Sequence, residues 1–143
     1  MVNVGDKAVT RRIAKAIGYV QFSKPGMEDI INNAEKKKGS VFHTAKIAGI
    51  MAAKRTAMTI PLCHQVELSG VDMNSKISPE ENRVHIDCQV QTEARTGVEM
   101  EAICGVLGAA ATVYDMCKAQ DRHMIISNVQ VTNKQGGSND FDV

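Results

Sequence analysis

The chain has 143 residues, 43% hydrophobic, 23% charged and 3% aromatic, with a formal net charge of +1. That length suits one domain, and a domain of this size buries roughly 70% of its unfolded surface, enough core to stand without metals or disulfides. The near-neutral balance argues against a nucleic-acid or acidic-membrane partner. Trp is absent, so Met, Ala, Val and Ile must fill the interior, and no apolar run approaches the roughly 20 residues of a membrane span.

Arg11 and Arg12 follow no apolar stretch, so no secretory leader is read at the N-terminus. Residues 8–22 read as an irregular extended segment leading into a strand near Gly18-Tyr-Val-Gln-Phe22. Pro25 suits the first position of a helix that continues through Met27, Ile30, Ile31 and Ala34 and stops at Lys38-Gly39. Ser40 reads as the N-cap of a second helix, with apolar positions at Val41, Ala45, Ile47, Ala48, Met51 and Ala52, ending near Thr56 before Pro61. Val66 to Ile77 reads as a strand with a bulge at Gly70. Ser78 to Asn82 forms a hairpin loop, and Val84, Ile86, Cys88 and Val90 alternate with polar residues as a half-buried strand does. A long helix spans Val98 to Ala119, with Ile103, Val106, Leu107, Ala110, Val113 and Tyr114 available to the core. Gly105, Gly108 and Ala109 to Ala111 allow it to approach a sheet or helix closely. A strand from Ile125 to Val131 precedes a flexible glycine-containing tail over residues 134–143. The order predicts an α+β, ferredoxin-like split βαβ fold, an antiparallel sheet with helices packed on one face.

The four cysteines Cys63, Cys88, Cys104 and Cys117 show no C-x-x-C spacing and read as reduced core thiols of a cytoplasmic protein; a zinc site at Cys63 and His64 is the alternative. Asp115 and Lys118 share a helix face. On spacing alone they form a surface ion pair worth a few tenths of a kcal/mol. The functional reading is a lysine whose proton affinity is set by a carboxylate and by burial, fit for general acid or base work. Glu99 and Glu101 follow the Thr96-Gly97 turn within the first turns of the long helix, where acids stabilise the helix dipole. Being two apart they face different sides, and a carboxylate turned inward can accept N–H donors of a guanine-like ring. The run Lys36 to Ser40 leads into a helix N-terminus and favours phosphate; Lys134-Gln-Gly-Gly-Ser138 is a second donor-rich segment. These features suggest a small anionic, nucleotide-like ligand without selecting a reaction.

Taken together, Lys38-Gly39, Thr44-Ala-Lys-Ile-Ala-Gly-Ile-Met-Ala-Ala-Lys-Arg-Thr56, Ile60-Pro-Leu-Cys-His64, Thr96-Gly-Val-Glu-Met-Glu-Ala102, Tyr114-Asp-Met-Cys-Lys-Ala119 and Lys134-x-Gly-Gly137 closely resemble the cyclic pyranopterin monophosphate synthase family (molybdenum cofactor biosynthesis protein C). The resemblance spans nearly the whole chain. It implies a homohexamer, a trimer of dimers with active sites at the dimer interface. It implies a lyase that converts 3',8-cyclo-7,8-dihydro-GTP to cyclic pyranopterin monophosphate with release of pyrophosphate and no required cofactor, Mg²⁺ accompanying the triphosphate at most. It also implies Lys38 and Lys118 as the acid/base lysines and Asp115 as the acid that orients one of them. Leu62, Cys63, His64, Met100 and Glu101 line the substrate in this reading. Arg12, His64 and Lys134 hold the triphosphate end, and Glu99 stands in the pocket wall. The chain departs from the family pattern at Asn3, Ile13, Ser40, Gln65 and Ser138-Asn139, which lowers the local charge. The competing expectation is a nucleotide-binding or assembly module on the same fold. An RNA-binding reading fails for want of aromatics to stack on bases.

Overall fold

The computed structural model describes residues 1–143. Its central strand is β1 (Thr10–Gln21), which pairs antiparallel with β3 (Arg83–Ala94) on one side and β4 (Ile125–Gln135) on the other. β2 (Leu68–Ser78) adds outside β3 and β5 (Phe141–Asp142) outside β4, giving the order β2-β3-β1-β4-β5, antiparallel throughout. Along β1 the inward positions are Ala14, Ala16, Gly18 and Val20. Ala14, Ala16 and Gly18 are too small to carry a hydrophobic alternation, which is why the strand begins eight residues before the expected Gly18. Their size has a cause in packing: a Cβ on Gly18 would stand 2.7 Å from Val106 Cγ1 of the helix lying across it.

The helices are α1 (Met27–Lys38), α2 (Val41–Lys54), a single turn α3 (Thr56–Thr59) and α4 (Glu99–Cys117). α1 buries Met27, Ile30, Ile31 and Ala34, as the spacing predicts. Pro25 does not open it, because Gly26 follows at φ 77°, outside helical geometry. Ser40 does cap α2, its side chain accepting the His43 N–H at 3.2 Å. The buried stripe of α2 is Val41, Ala45, Gly49 and Ala53: the first two stand where the spacing puts them, the last two replace Ala48 and Ala52, and Ile47 is left 63% exposed. Gly49 carries no hydropathy signal, yet it is where α4 comes close: a Cβ there would stand 2.8 Å from the Gly105 carbonyl oxygen. Gly108 of α4 meets Ala48 and Ala52 of α2, and Gly105 meets Cys88 of the sheet.

β2 carries its irregularity between Leu68 and Gly70, where the bulge was expected. In β3, Val84, Ile86, Cys88 and Val90 are fully buried. Leu107, expected in the core of α4, is 42% exposed. α4 has the length and apolar composition of a membrane span, but most of it is buried between the sheet and α2. Residues 134–143 are not a loose tail. Lys134 and Gln135 extend β4, and Phe141 and Asp142 fold back to pair with Lys134 and Asn133. The topology is the ferredoxin-like split βαβ arrangement, α+β, with one added edge strand.

Candidate active site

The residues singled out in the sequence gather at the two ends of α4. At its N-terminal end, α3 and the turn after it carry the chain round so that Leu62, Cys63 and His64 face Glu99, Met100 and Glu101 across a cleft of about 400 Å³. Val2, Val4 and Lys7 of the N-terminal segment close its other wall. His64 Nε2–H donates to the Val2 carbonyl at 2.7 Å, which leaves Nδ1 free to face a ligand.

The two glutamates do diverge. Glu101 is 5% exposed, and burial, with the nearby Glu99 charge adding to it, holds its carboxyl above the usual carboxylate range against the pull of its backbone hydrogen bond. Glu99 is half-buried and pairs with Lys134 Nζ at 2.6 Å. Burial, then the Glu101 and Cys104 charges, push the Cys63 thiol up, so it is a weak nucleophile in the cleft wall. Cys63 is partly exposed, whereas Cys88, Cys104 and Cys117 are buried as expected and all four are free. Burial raises Cys88 to about 12 and Cys117 to about 11. No group of three or more His, Cys, Asp or Glu side chains converges to hold a metal at Cys63 and His64.

Arg12 does not line the cleft. Its guanidinium donates to the carbonyls of Ala94 and Arg95, both at 3.3 Å, beside the Thr96-Gly97 turn. The N–H groups of Gly136 and Gly137, expected as phosphate donors, are taken by Asp140 Oδ2 and Oδ1 at 3.0 and 2.9 Å.

At the other end of α4, Lys118 Nζ donates to Asp115 Oδ1 at 2.7 Å, and Lys38 Nζ, at the last residue of α1, donates to the Asp115 carbonyl at 3.4 Å. The hydrogen bond and charge of Lys118, with a smaller contribution from Lys38, hold the Asp115 carboxyl below its ordinary range. Two lysines remote in sequence thus converge on one acid. The pair is solvent-exposed, so within one chain its geometry is that of a surface ion pair. Sixteen residues of α4 separate Glu99 from Asp115, about 24 Å at 1.5 Å per residue. Within one chain the cleft and the lysine cluster are therefore too far apart for one small molecule to touch both.

Sequence reading missed Asp121, which lies past the end of α4 with no exposed surface and accepts from Ser23, Lys24 and His123. A signal was present: an acid just beyond a helix C-terminus opposes the dipole and needs other donors to hold it.

A family model described as the MoaC family matches residues 1–137. A protein of Pelotomaculum thermopropionicum named cyclic pyranopterin monophosphate synthase is 48% identical over 137 residues, covering 96% of this chain and 80% of its own length. A protein of the same name from Herpetosiphon aurantiacus is 50% identical over 138 residues, covering 96% of this chain and 84% of its own. A de novo designed protein with a ferredoxin fold covers 88% of this chain and 89% of its own at 13% identity and a TM-score of 0.43, a likeness too low to add to the strand topology. On a match that takes in the cleft, the lysine cluster and all but the last six residues, the chain belongs to the MoaC family.

Proposed function

We propose that this enzyme converts 3',8-cyclo-7,8-dihydro-GTP into cyclic pyranopterin monophosphate and pyrophosphate, in sites that a second copy of the chain completes. The observation that carries this reading is the separation of the cleft from the lysine cluster by the length of α4. An isologous dimer with antiparallel α4 helices brings the cleft of one protomer to the lysines of the other. The full assembly is a homohexamer, three such dimers.

In this reading Glu101 accepts N–H groups of the purine-derived ring, and Leu62, Cys63 and Met100 pack against it. Lys134 and His64 face the triphosphate end, with Arg12 behind Lys134 across Gly137, and Lys134 is drawn out of its pair with Glu99 by the more highly charged ligand. The ring is opened and rebuilt as a pterin by successive proton transfers. A sugar hydroxyl then forms a bond to the innermost phosphorus as the bond to pyrophosphate breaks. Lys38 and Lys118 take and return the protons, and their ammonium forms stabilise the charge that develops on phosphate oxygens. Asp115 holds Lys118 in place. Proton transfer and phosphoryl displacement need no redox partner; Mg²⁺ enters only with the phosphates.

The test is to incubate the purified chain with the cyclised dihydro-GTP and follow pterin and pyrophosphate by mass spectrometry. Lys118→Ala is expected to fold normally and to lose at least about 100-fold in turnover, the scale of a lost general acid or base. Near-normal turnover in that variant removes Lys118 from the mechanism. Binding of the ligand by well-folded protein without product favours the nucleotide-binding module instead.

A further inference from the structure

α1 ends in Lys38 but starts without a side-chain cap: its N-cap is Gly26, and the Asp29 and Ile30 N–H groups bond only to the Gly26 carbonyl. The helix is held at its entry from outside. Asp121 Oδ1 accepts the Ser23 O–H at 2.5 Å and the His123 N–H at 3.1 Å, and Oδ2 accepts the Ser23 and Lys24 N–H groups at 2.8 and 3.3 Å. Four donors surround this carboxylate and no cation pairs with it. Burial alone would push it up, and these hydrogen bonds, Ser23 foremost, overcome that and hold it below the ordinary range. Around it, Lys24 Nζ donates to the Gln120 carbonyl at 2.6 Å and Asn33 Nδ2 to Gln120 Oε1 at 3.3 Å. The loop that launches α1 is thereby fastened to the loop that leaves α4, three residues past Lys118.

We infer that Asp121 is a positioning residue for the lysine pair: its carboxylate locks the entry of α1 to the exit of α4 and so sets Lys38 against Asp115 and Lys118. The inference rests on the lysine chemistry proposed above. α1 is twelve residues, about 18 Å. A tilt of a few degrees at its entry moves Lys38 by about 1 Å, a displacement able to cost about 100-fold in rate. The 3.4 Å contact of Lys38 with the Asp115 carbonyl is too long to hold the helix end by itself.

Asp121→Asn keeps the shape but turns an N–H₂ group toward donors. It is expected to lower kcat by about 10- to 100-fold with KM within about twofold, because the cleft lies at the far end of α4. Amides of α1 should exchange with deuterium about tenfold faster, those of β1 and β3 at unchanged rates. Ser23→Ala removes one of the four donors and should show the same pattern more weakly, which keeps the test open if Asp121→Asn folds poorly. Ile86→Ala, a core variant in β3 opposite Gly18 that touches none of the Asp121 hydrogen bonds, gives the comparison at a similar loss of melting temperature. The proposal is overturned if exchange in α1 is unchanged or rises equally in every element, or if kcat falls no more than in Ile86→Ala. A wild-type chain without turnover would sink the lysine chemistry and the kinetic consequence of Asp121 with it. The exchange measurement would still decide whether Asp121 sets α1.

Discussion

Glu101 shows how far a single residue can be read in advance. The two-residue spacing from Glu99 implies that one acid turns inward; it does not say which. The structure buries Glu101 and gives Glu99 to Lys134. A carboxyl whose folded pKa lies above its unfolded one binds its proton more tightly in the native state. It therefore subtracts stability as pH rises from the unfolded value through the folded one. Glu101→Gln is thus expected to raise the melting temperature at pH 8 and to have a smaller effect at pH 4. A thermal scan at both values checks it, and an equal shift at both would remove ionisation as the cause. The same change should lower kcat/KM by about 10- to 100-fold, matching the roughly 1.5–3 kcal/mol of a hydrogen bond to a charged acceptor. His64 was legible as a cleft-lining side chain only through the family motif. Its bond to the Val2 carbonyl joins segments 62 residues apart, and no local spacing encodes that.

At the scale of elements, α4 and β3 were the most legible, because each has a strong period: alternation in Val84 to Val90, and a long apolar run with a glycine turn before it. β1 was legible in kind but not in extent; α2 was legible at Val41 and Ala45 but not at Gly49 and Ala53. Gly18 and Gly49 carry no hydropathy signal, and only the nearness of α4 explains them. The crowding is itself testable. A Cβ on Gly108 would stand 2.6 Å from Ala52 Cβ and 3.2 Å from the Ala48 carbonyl oxygen, and backbone yields less readily than a side-chain tip. Gly108→Val is expected to cost about 2–3 kcal/mol through overpacking, a fall in melting temperature of roughly 5–10 °C. In the proposed reaction both ends of α4 meet substrate, so the same variant should lose turnover beyond its loss of stability.

For the whole molecule, the informative pattern is a ridge of α4 at four-residue spacing: Glu99, Ile103, Leu107, Ala111 and Asp115. Leu107, left 42% exposed, stands midway between the two acids, eight residues from each. In the proposed dimer a two-fold axis through Leu107 would lay the ridge of one copy along that of another in reverse. The apolar middles then cover each other, and each cleft end faces the partner's lysine end. The hydrophobic pattern gave no hint of this, because periodicity does not distinguish an intrachain from an interchain neighbour and Leu107 counts as core in either case. The arrangement makes a quantitative prediction. Glu101→Gln disables the cleft and Lys118→Ala disables the lysine cluster. In a mixed dimer one site receives both defects and the other receives neither. Random exchange makes half the dimers mixed, each with one intact site of two, so mixing equal amounts of the two impaired variants should bring turnover to about one quarter of wild type, above either variant alone. Both proteins unfolded together and refolded, then assayed against each alone, provide the measurement. If each site lay within a single chain, no mixing ratio would restore activity, and a refolded mixture as inactive as its components would rule out the shared site.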